Sequence, residues 1–177
     1  MLPFFLTPMH ENLIEYLSGF VTERRVKLFD RLLDLRTRYI TIVLEDIYQA
    51  HNASAVLRSC ECFGIQDVHL IENQFEYRIS PDVALGSDKW LTLHRYNNPQ
   101  AKNTEDAIET LRSKGYRIVA TTPHKNDCSL EEFDLHKGKT ALLFGSELNG
   151  LSPRAMELAD EFVKIPMAGF TESLNIS

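Results

Sequence analysis

The sequence predicts one α/β domain, a mostly parallel sheet with helices on both faces, preceded by a short helical extension. Three observations lead to this expectation. Residues 39–44 are β-branched and apolar without clear alternation, the mark of a strand buried on both faces. Strand-like runs then alternate with segments of helical periodicity, as in sheets wound by right-handed crossovers. Twice, at Phe144-Gly145 and at Ile165-Pro166-Met167-Ala168-Gly169, an apolar strand runs into a glycine-containing loop. Such loops bring backbone close to a ligand at the carboxyl ends of the strands.

The elements follow in order. Between residues 11 and 35, Leu13, Ile14, Leu17, Phe20 and Val21, then Leu28, Leu32 and Leu35, recur at helical spacing and predict one or two amphipathic helices. After the strand at 39–44 and the loop Tyr48-Gln49-Ala50-His51, Asn52 is placed to cap a helix with the stripe Ala53, Val56, Leu57, Cys60 and Phe63, ended by Gly64. Residues 68–71 form the next strand. Residues 72–99 are irregular, with Pro81, Gly86 and Pro99, although 90–93 suits a short strand. Thr104 caps a helix that turns Ala107, Ile108 and Leu111 inward, Gly115 stops it, and 116–121 is a strand. Strands at 140–144 and 162–165 bracket a helix opened by Ser152 and Pro153, a cap followed by proline at the first helical position.

A chain of 177 residues that is 44% hydrophobic can build one substantial core and is too short to predict two. Cys60, Cys62 and Cys128 are odd in number, and Cys60 and Cys62 would point about 200° apart on a helix, so they read as free thiols in a reducing cytoplasm. The apolar start, with Pro3 and Pro8, lacks a basic leader region, and either Met1 or Met9 could be the first natural residue. Six scattered histidines suggest no metal site. The net charge of −6 weighs mildly against a nucleic-acid partner, but its distribution does not. Arg24, Arg25, Lys27, Arg31, Arg36 and Arg38 face only Asp30 and Asp34 within the same stretch. A solvated helix face explains such a stripe, and so does contact with nucleic-acid phosphates.

Common catalytic patterns are absent: the chain has no phosphate loop, no His-Glu-x-x-His, no Gly-x-Ser-x-Gly and no Gly-x-Gly-x-x-Gly. What remains is Asn52-Ala53-Ser54-Ala55-Val56-Leu57-Arg58-Ser59, the loop 145–152 and the segment 165–175. Together and in this order they resemble the three motifs of the TrmH/SpoU family of RNA ribose 2′-O-methyltransferases, in the SPOUT class, and within it most of all the tRNA guanosine-18 branch. The likeness extends through the basic helix ending in Arg38, Gly86-Ser87-Asp88-Lys89-Trp90 and Phe133-Asp134, and covers roughly residues 24–177.

This resemblance implies a trefoil knot near the C-terminus, an exception to ordinary connection rules. It also implies S-adenosylmethionine as methyl donor, an RNA substrate, and a homodimer whose active site draws on both subunits. Residues 1–38 would be the helical extension and 39–177 the methyltransferase domain, with a further C-terminal helix that the 177 residues do not include. Carried over by motif, Gly145, Ile165, Met167 and Leu174 would line the adenosyl pocket, with Thr121 at the end of the preceding strand. Arg58 would assist loss of the ribose hydroxyl proton. Since guanidinium is hardly ever deprotonated in proteins, stabilisation of the developing alkoxide fits it better than a literal base. Asn52 would hold the loop and the arginine, Glu147 would orient Asn52 or Arg58, and Ser173 and Asn175 would lie near donor and substrate. Residue type alone allows plainer roles: N-cap, turn residue, helix cap, exposed arginine. Two other functions stay open, the same chemistry on ribosomal RNA and an inactive module that binds RNA or an adenosyl ligand.

Overall fold

The first strand, β1 (Ile40–Glu45), divides two hydrophobic layers, as its unbroken apolar run predicts. The computed structural model describes residues 8–123, 128–170 and 174–176. On one face Ile42 and Leu44 pack with Ala53, Val56 and Leu57 of α3 (Ala50–Cys62). On the other, Val43 packs with Ala107, Ile108 and Leu111 of α5 (Asn103–Ser113) and with Ala155 of α6 (Pro153–Leu158). Helices therefore cover both faces. Leu57 is fully buried, and such a side chain contributes about 1.5–3 kcal/mol of hydrophobic stabilisation.

The remaining strands are β2 (Asp67–Ile71), β3 (Thr92–Tyr96), β4 (Arg117–Thr121), β5 (Cys128–Ser129), β6 (Thr140–Phe144) and β7 (Glu161–Lys164). A short helix, α4 (Pro81–Ala84), and a 3-10 turn at Ser87–Trp90 lie between β2 and β3. All strand pairings are parallel, in the order β3-β2-β1-β6-β4-β7-β5. β6 is inserted between β1 and β4, and β7 between β4 and β5. The loops leaving β1, β6, β4 and β7 thus stand side by side at the carboxyl edge, where parallel sheets bind ligands.

Several local expectations change. Asn52 is the third residue of α3 rather than its cap; Gln49 stands at the cap, and its carbonyl accepts from the N–H groups of Asn52 (3.1 Å) and Ala53 (3.3 Å). Asn103 opens α5 after Lys102, because the hydroxyl of Thr104 donates to Glu45 instead of capping the helix. Phe63 leaves the buried stripe and is 82% exposed, since the chain turns out of the helix there, through Gly64 at φ 75°. The strand expected at 90–93 lies at Thr92–Tyr96, with Trp90 in the 3-10 turn. Ser152 caps α6 as expected, its hydroxyl accepting from Ala155 N–H at 3.1 Å with Pro153 following.

The chain divides into two compact units, residues 1–36 and 37–177. In the first, α1 (Pro8–Ser18) and α2 (Glu23–Leu33) realise the predicted amphipathic helices. α2 buries no residue, and its apolar side chains Leu28, Leu32 and Leu33 remain exposed. No described helix is long and apolar enough to cross a membrane.

Candidate active site

Glu45 ends β1 with its carboxylate almost wholly buried, 2% exposed. One oxygen accepts from the hydroxyls of Thr104 (2.7 Å) and Ser152 (2.9 Å), the other from Ser152 N–H at 2.8 Å. A single carboxylate thereby ties the starts of α5 and α6 to the end of β1. Paired acceptors of this kind remove most of the cost of burying the charge. Sequence reasoning passed over Glu45; the available signal was an acidic residue closing an apolar strand just before a loop.

The first two motifs meet beside it. Asn52, 3% exposed, donates from Nδ2 to Glu147 Oε1 and to Gln49 Oε1 at 3.3 Å. Of the two expected partners of Glu147, the structure supplies Asn52. Arg58, six residues further along α3, is exposed, and its side chain makes no hydrogen bond or ion pair among the described residues. Asn52 and Glu147 are thus brought together, and Arg58 is not joined to them.

The second motif closes on itself. Ser146 N–H donates to Gly150 O at 3.2 Å, and Gly150 N–H returns to Ser146 O at 2.8 Å. A Cβ on Gly145 would stand 2.0 Å from the carbonyl carbon of Gly150, so only glycine fits this approach. Thr121, at the end of neighbouring β4, donates its hydroxyl to Leu143 O at 2.8 Å. Beyond β7 the third motif exposes its apolar side chains: Ile165 is 52% exposed, Met167 37% and Leu174 59%. Ser173 lies outside the described residues. Asn175 is exposed, and the next residue, Ile176, packs against the cluster that holds Ala53, Val56 and Leu57. The residue that follows the third motif therefore reaches the hydrophobic layer to which the helix of the first motif belongs.

These neighbours suit an adenosyl group. Gly145, Thr121 and Ile165 sit at the ends of three adjacent strands, β6, β4 and β7, where backbone is accessible and the nearby side chains are small or apolar.

The basic stripe divides. Arg24, Arg25, Lys27 and Arg31 are exposed on α2, with Lys27 paired to Glu23 at 2.6 Å, and Arg36 ends the first unit. Arg38, in the second unit, binds the buried carboxylate of Asp67, whose other oxygen lies 3.0 Å from His94 Nε2. Burial pushes the Asp67 carboxyl up, but hydrogen bonds and charge from His94 and Arg38 outweigh it and hold the group below its usual range. Arg38 is therefore a fastening of the sheet as well as a surface cation.

Residues 39–177 match the SpoU rRNA methylase family. A tRNA (guanosine(18)-2′-O)-methyltransferase of Borreliella burgdorferi is 46% identical over 164 residues, which span 93% of this chain and 72% of that protein. The crystal structure of the Aquifex aeolicus TrmH/SpoU tRNA modifying enzyme shares the fold with a TM-score of 0.74 and 29% identity, covering 87% of this chain and 76% of that one. The SpoU methyltransferase AviRb of Streptomyces viridochromogenes, solved in complex with AdoMet, gives a TM-score of 0.64 and 26% identity, over 82% of this chain and 55% of that one. With its motifs gathered at one sheet edge, the chain belongs to the SpoU methylase family.

Proposed function

We propose that the protein transfers a methyl group from S-adenosylmethionine to a ribose 2′-hydroxyl of tRNA, at guanosine-18. The likeness to the Borreliella burgdorferi enzyme, 46% identical over 93% of this chain, carries the reading. The meeting of Asn52 and Glu147, 95 positions apart, supports it physically.

In this reading Thr121, Gly145, Ile165, Met167 and Leu174 hold the donor. Its sulfonium supplies a methyl group that is already electrophilic, so the protein's work is alignment and help with the departing hydroxyl proton. Glu147 orients Asn52, in the first turn of α3, and Asn52 in turn holds the active-site loop. Arg58 stabilises the developing alkoxide as a charge rather than a base, because its guanidinium keeps its protons. Ser173 and Asn175 serve near donor and substrate. The exposed Arg58 side chain is not bonded to Asn52 or Glu147 in its own chain, which leaves it available to a partner and favours a homodimer in which one protomer lends Arg58 to the other. Family membership further supports a knotted tail, and tRNA as substrate suits a cytoplasmic protein. Arg24, Arg25, Lys27, Arg31, Arg36 and Arg38 supply positive charge for RNA phosphates.

The test is methyl transfer to unmodified tRNA and to ribosomal RNA, with the modified ribose located by mass mapping. Transfer at guanosine-18 is expected; transfer confined to ribosomal RNA would refute the substrate. Arg58→Ala should lower the rate by roughly a hundredfold or more, the scale of lost transition-state charge stabilisation, with donor affinity unchanged by calorimetry. Normal turnover by that variant would refute its role.

A further inference from the structure

The loop after β1 carries an aromatic side chain that these roles leave unused. Tyr48 is 70% exposed, yet its ring meets that of Phe75 edge to face, with centroids 5.0 Å apart. Phe75 is itself held. Its side chain borders a small cleft with Ile47, Ala53 and Tyr77. Its backbone N–H, with those of Asn73 and Gln74, points at one carboxylate oxygen of Asp46, at 3.5, 2.7 and 2.8 Å. Asp46 reaches them from left-handed backbone, φ 51°, an unusual conformation for a residue other than glycine. One carboxylate therefore fastens the loop after β2 to the loop after β1, and an aromatic ring stands fixed in solvent above the join.

That ring adjoins the candidate active site. Tyr48 immediately precedes Gln49, whose side-chain oxygen accepts from Asn52, and Asn52 is bound to Glu147. Ribose is common to every nucleotide, so groups that handle only the 2′-hydroxyl cannot choose a base. Unpaired bases in RNA loops are read largely by stacking on aromatic faces. A ring already oriented by a neighbour loses little freedom when a base settles on it. Burial cannot account for Tyr48, because most of it faces water.

We propose that Tyr48, braced by Phe75, is a stacking platform for an unpaired base of the RNA substrate, at or beside the methylated nucleoside. This rests on the RNA methyltransferase reading above. The experiment measures kcat and KM for tRNA, tRNA affinity by gel shift, donor affinity by calorimetry and thermal stability, for Tyr48→Ala, Tyr48→Leu and Tyr48→Phe. Loss of one stacked base should raise the KM and weaken tRNA binding roughly tenfold in the alanine and leucine variants. Tyr48→Phe should match the unaltered protein, and donor affinity and melting should not move. An unchanged KM in Tyr48→Ala, a loss of donor affinity, or a phenylalanine variant as weak as alanine would each overturn the platform. The gel shift separates this from the activity. If the unaltered protein transfers no methyl group but binds tRNA roughly tenfold tighter than Tyr48→Ala, the platform stands and the proposed reaction falls.

Discussion

Around the ends of β1 and β2 the protein buries charge, whereas beyond β7 it leaves apolar side chains in water. Glu45 and Glu72 are 2% and 8% exposed, each saturated with donors: Thr104 and Ser152 for the first, Arg95 and Tyr77 N–H for the second. Among the described residues no buried side-chain nitrogen or oxygen lacks a partner. Phe170 and Ile165, by contrast, are 108% and 52% exposed. Both regions invert the usual rule that apolar groups go inside, and the inversions have different physical meanings. A buried carboxylate with every acceptor used is a fastening, which sets where loops begin. A run of exposed apolar side chains beside a glycine loop is a surface suited to covering by another molecule.

The sharpest way to break this contrast is at Gly145. In Gly145→Ala the new Cβ meets backbone of Gly150 and Leu151 at 2.0 to 2.2 Å, and backbone cannot swing aside as a side chain does. Methyl transfer should fall by roughly a hundredfold, the scale expected when reacting groups are misplaced by an ångström. Gly150→Ala is the control: nothing lies within 4 Å of its Cβ, and only the positive φ of 66° opposes it. It should cost about 1–2 kcal/mol of stability.

Next comes Glu45→Ala, which strands the Thr104 hydroxyl and both Ser152 donors. Denaturant unfolding should show a loss of about 3 kcal/mol, the upper range for buried groups left without partners. A loss below about 0.5 kcal/mol, typical of surface changes, would mean that Glu45 fastens nothing.

A third prediction concerns His69, stacked on His94 with ring centroids 4.4 Å apart and 3.0 Å from the Tyr96 hydroxyl. Burial, then the charges of His94 and Lys114, pushes it down to about 3 from 6.5. The folded protein keeps this ring neutral while the unfolded chain takes up a proton. Its contribution is therefore complete above pH 6.5 and is lost progressively as pH falls toward 3. The slope should approach about 1.4 kcal/mol per pH unit within that window. In His69→Gln it should flatten, most visibly between about pH 6.5 and 5, before carboxylates titrate.

The smallest effect sharpens the other side of the contrast. Ile165→Ser should change stability by less than about 0.5 kcal/mol, because the side chain is already half in water. Donor affinity should still fall severalfold. A large drop in melting temperature with affinity intact would show that Ile165 is core.

Much of the fold was legible because periodicity reports burial. The run from Ile40 to Leu44 announced a strand covered on both faces, and Ala107, Ile108 and Leu111 announced the inward face of α5. Gly145 was legible because nothing larger can stand where two stretches of backbone nearly touch. The pairing of Asn52 with Glu147 was legible through the motifs, but the capping placements of Asn52 and Thr104 were not: a short polar side chain near a helix start suits a cap, and for Thr104 only the fold shows that Glu45 claims it first. Glu45 and Asp46 left no periodic trace, since each acts on residues far along the chain.

What residue order alone determined is local: which segments are helix or strand, which loops need glycine, and, through three motifs, the family. Tertiary structure decided which loops become neighbours. The late insertion of β6 and β7 between earlier strands joins Glu147 to Asn52 and brings the start of the third motif beside the loops leaving β4 and β6. The physical reason is that burial and hydrogen-bond satisfaction are pairwise. A residue carries its own propensity, but its partner is settled only when the chain closes.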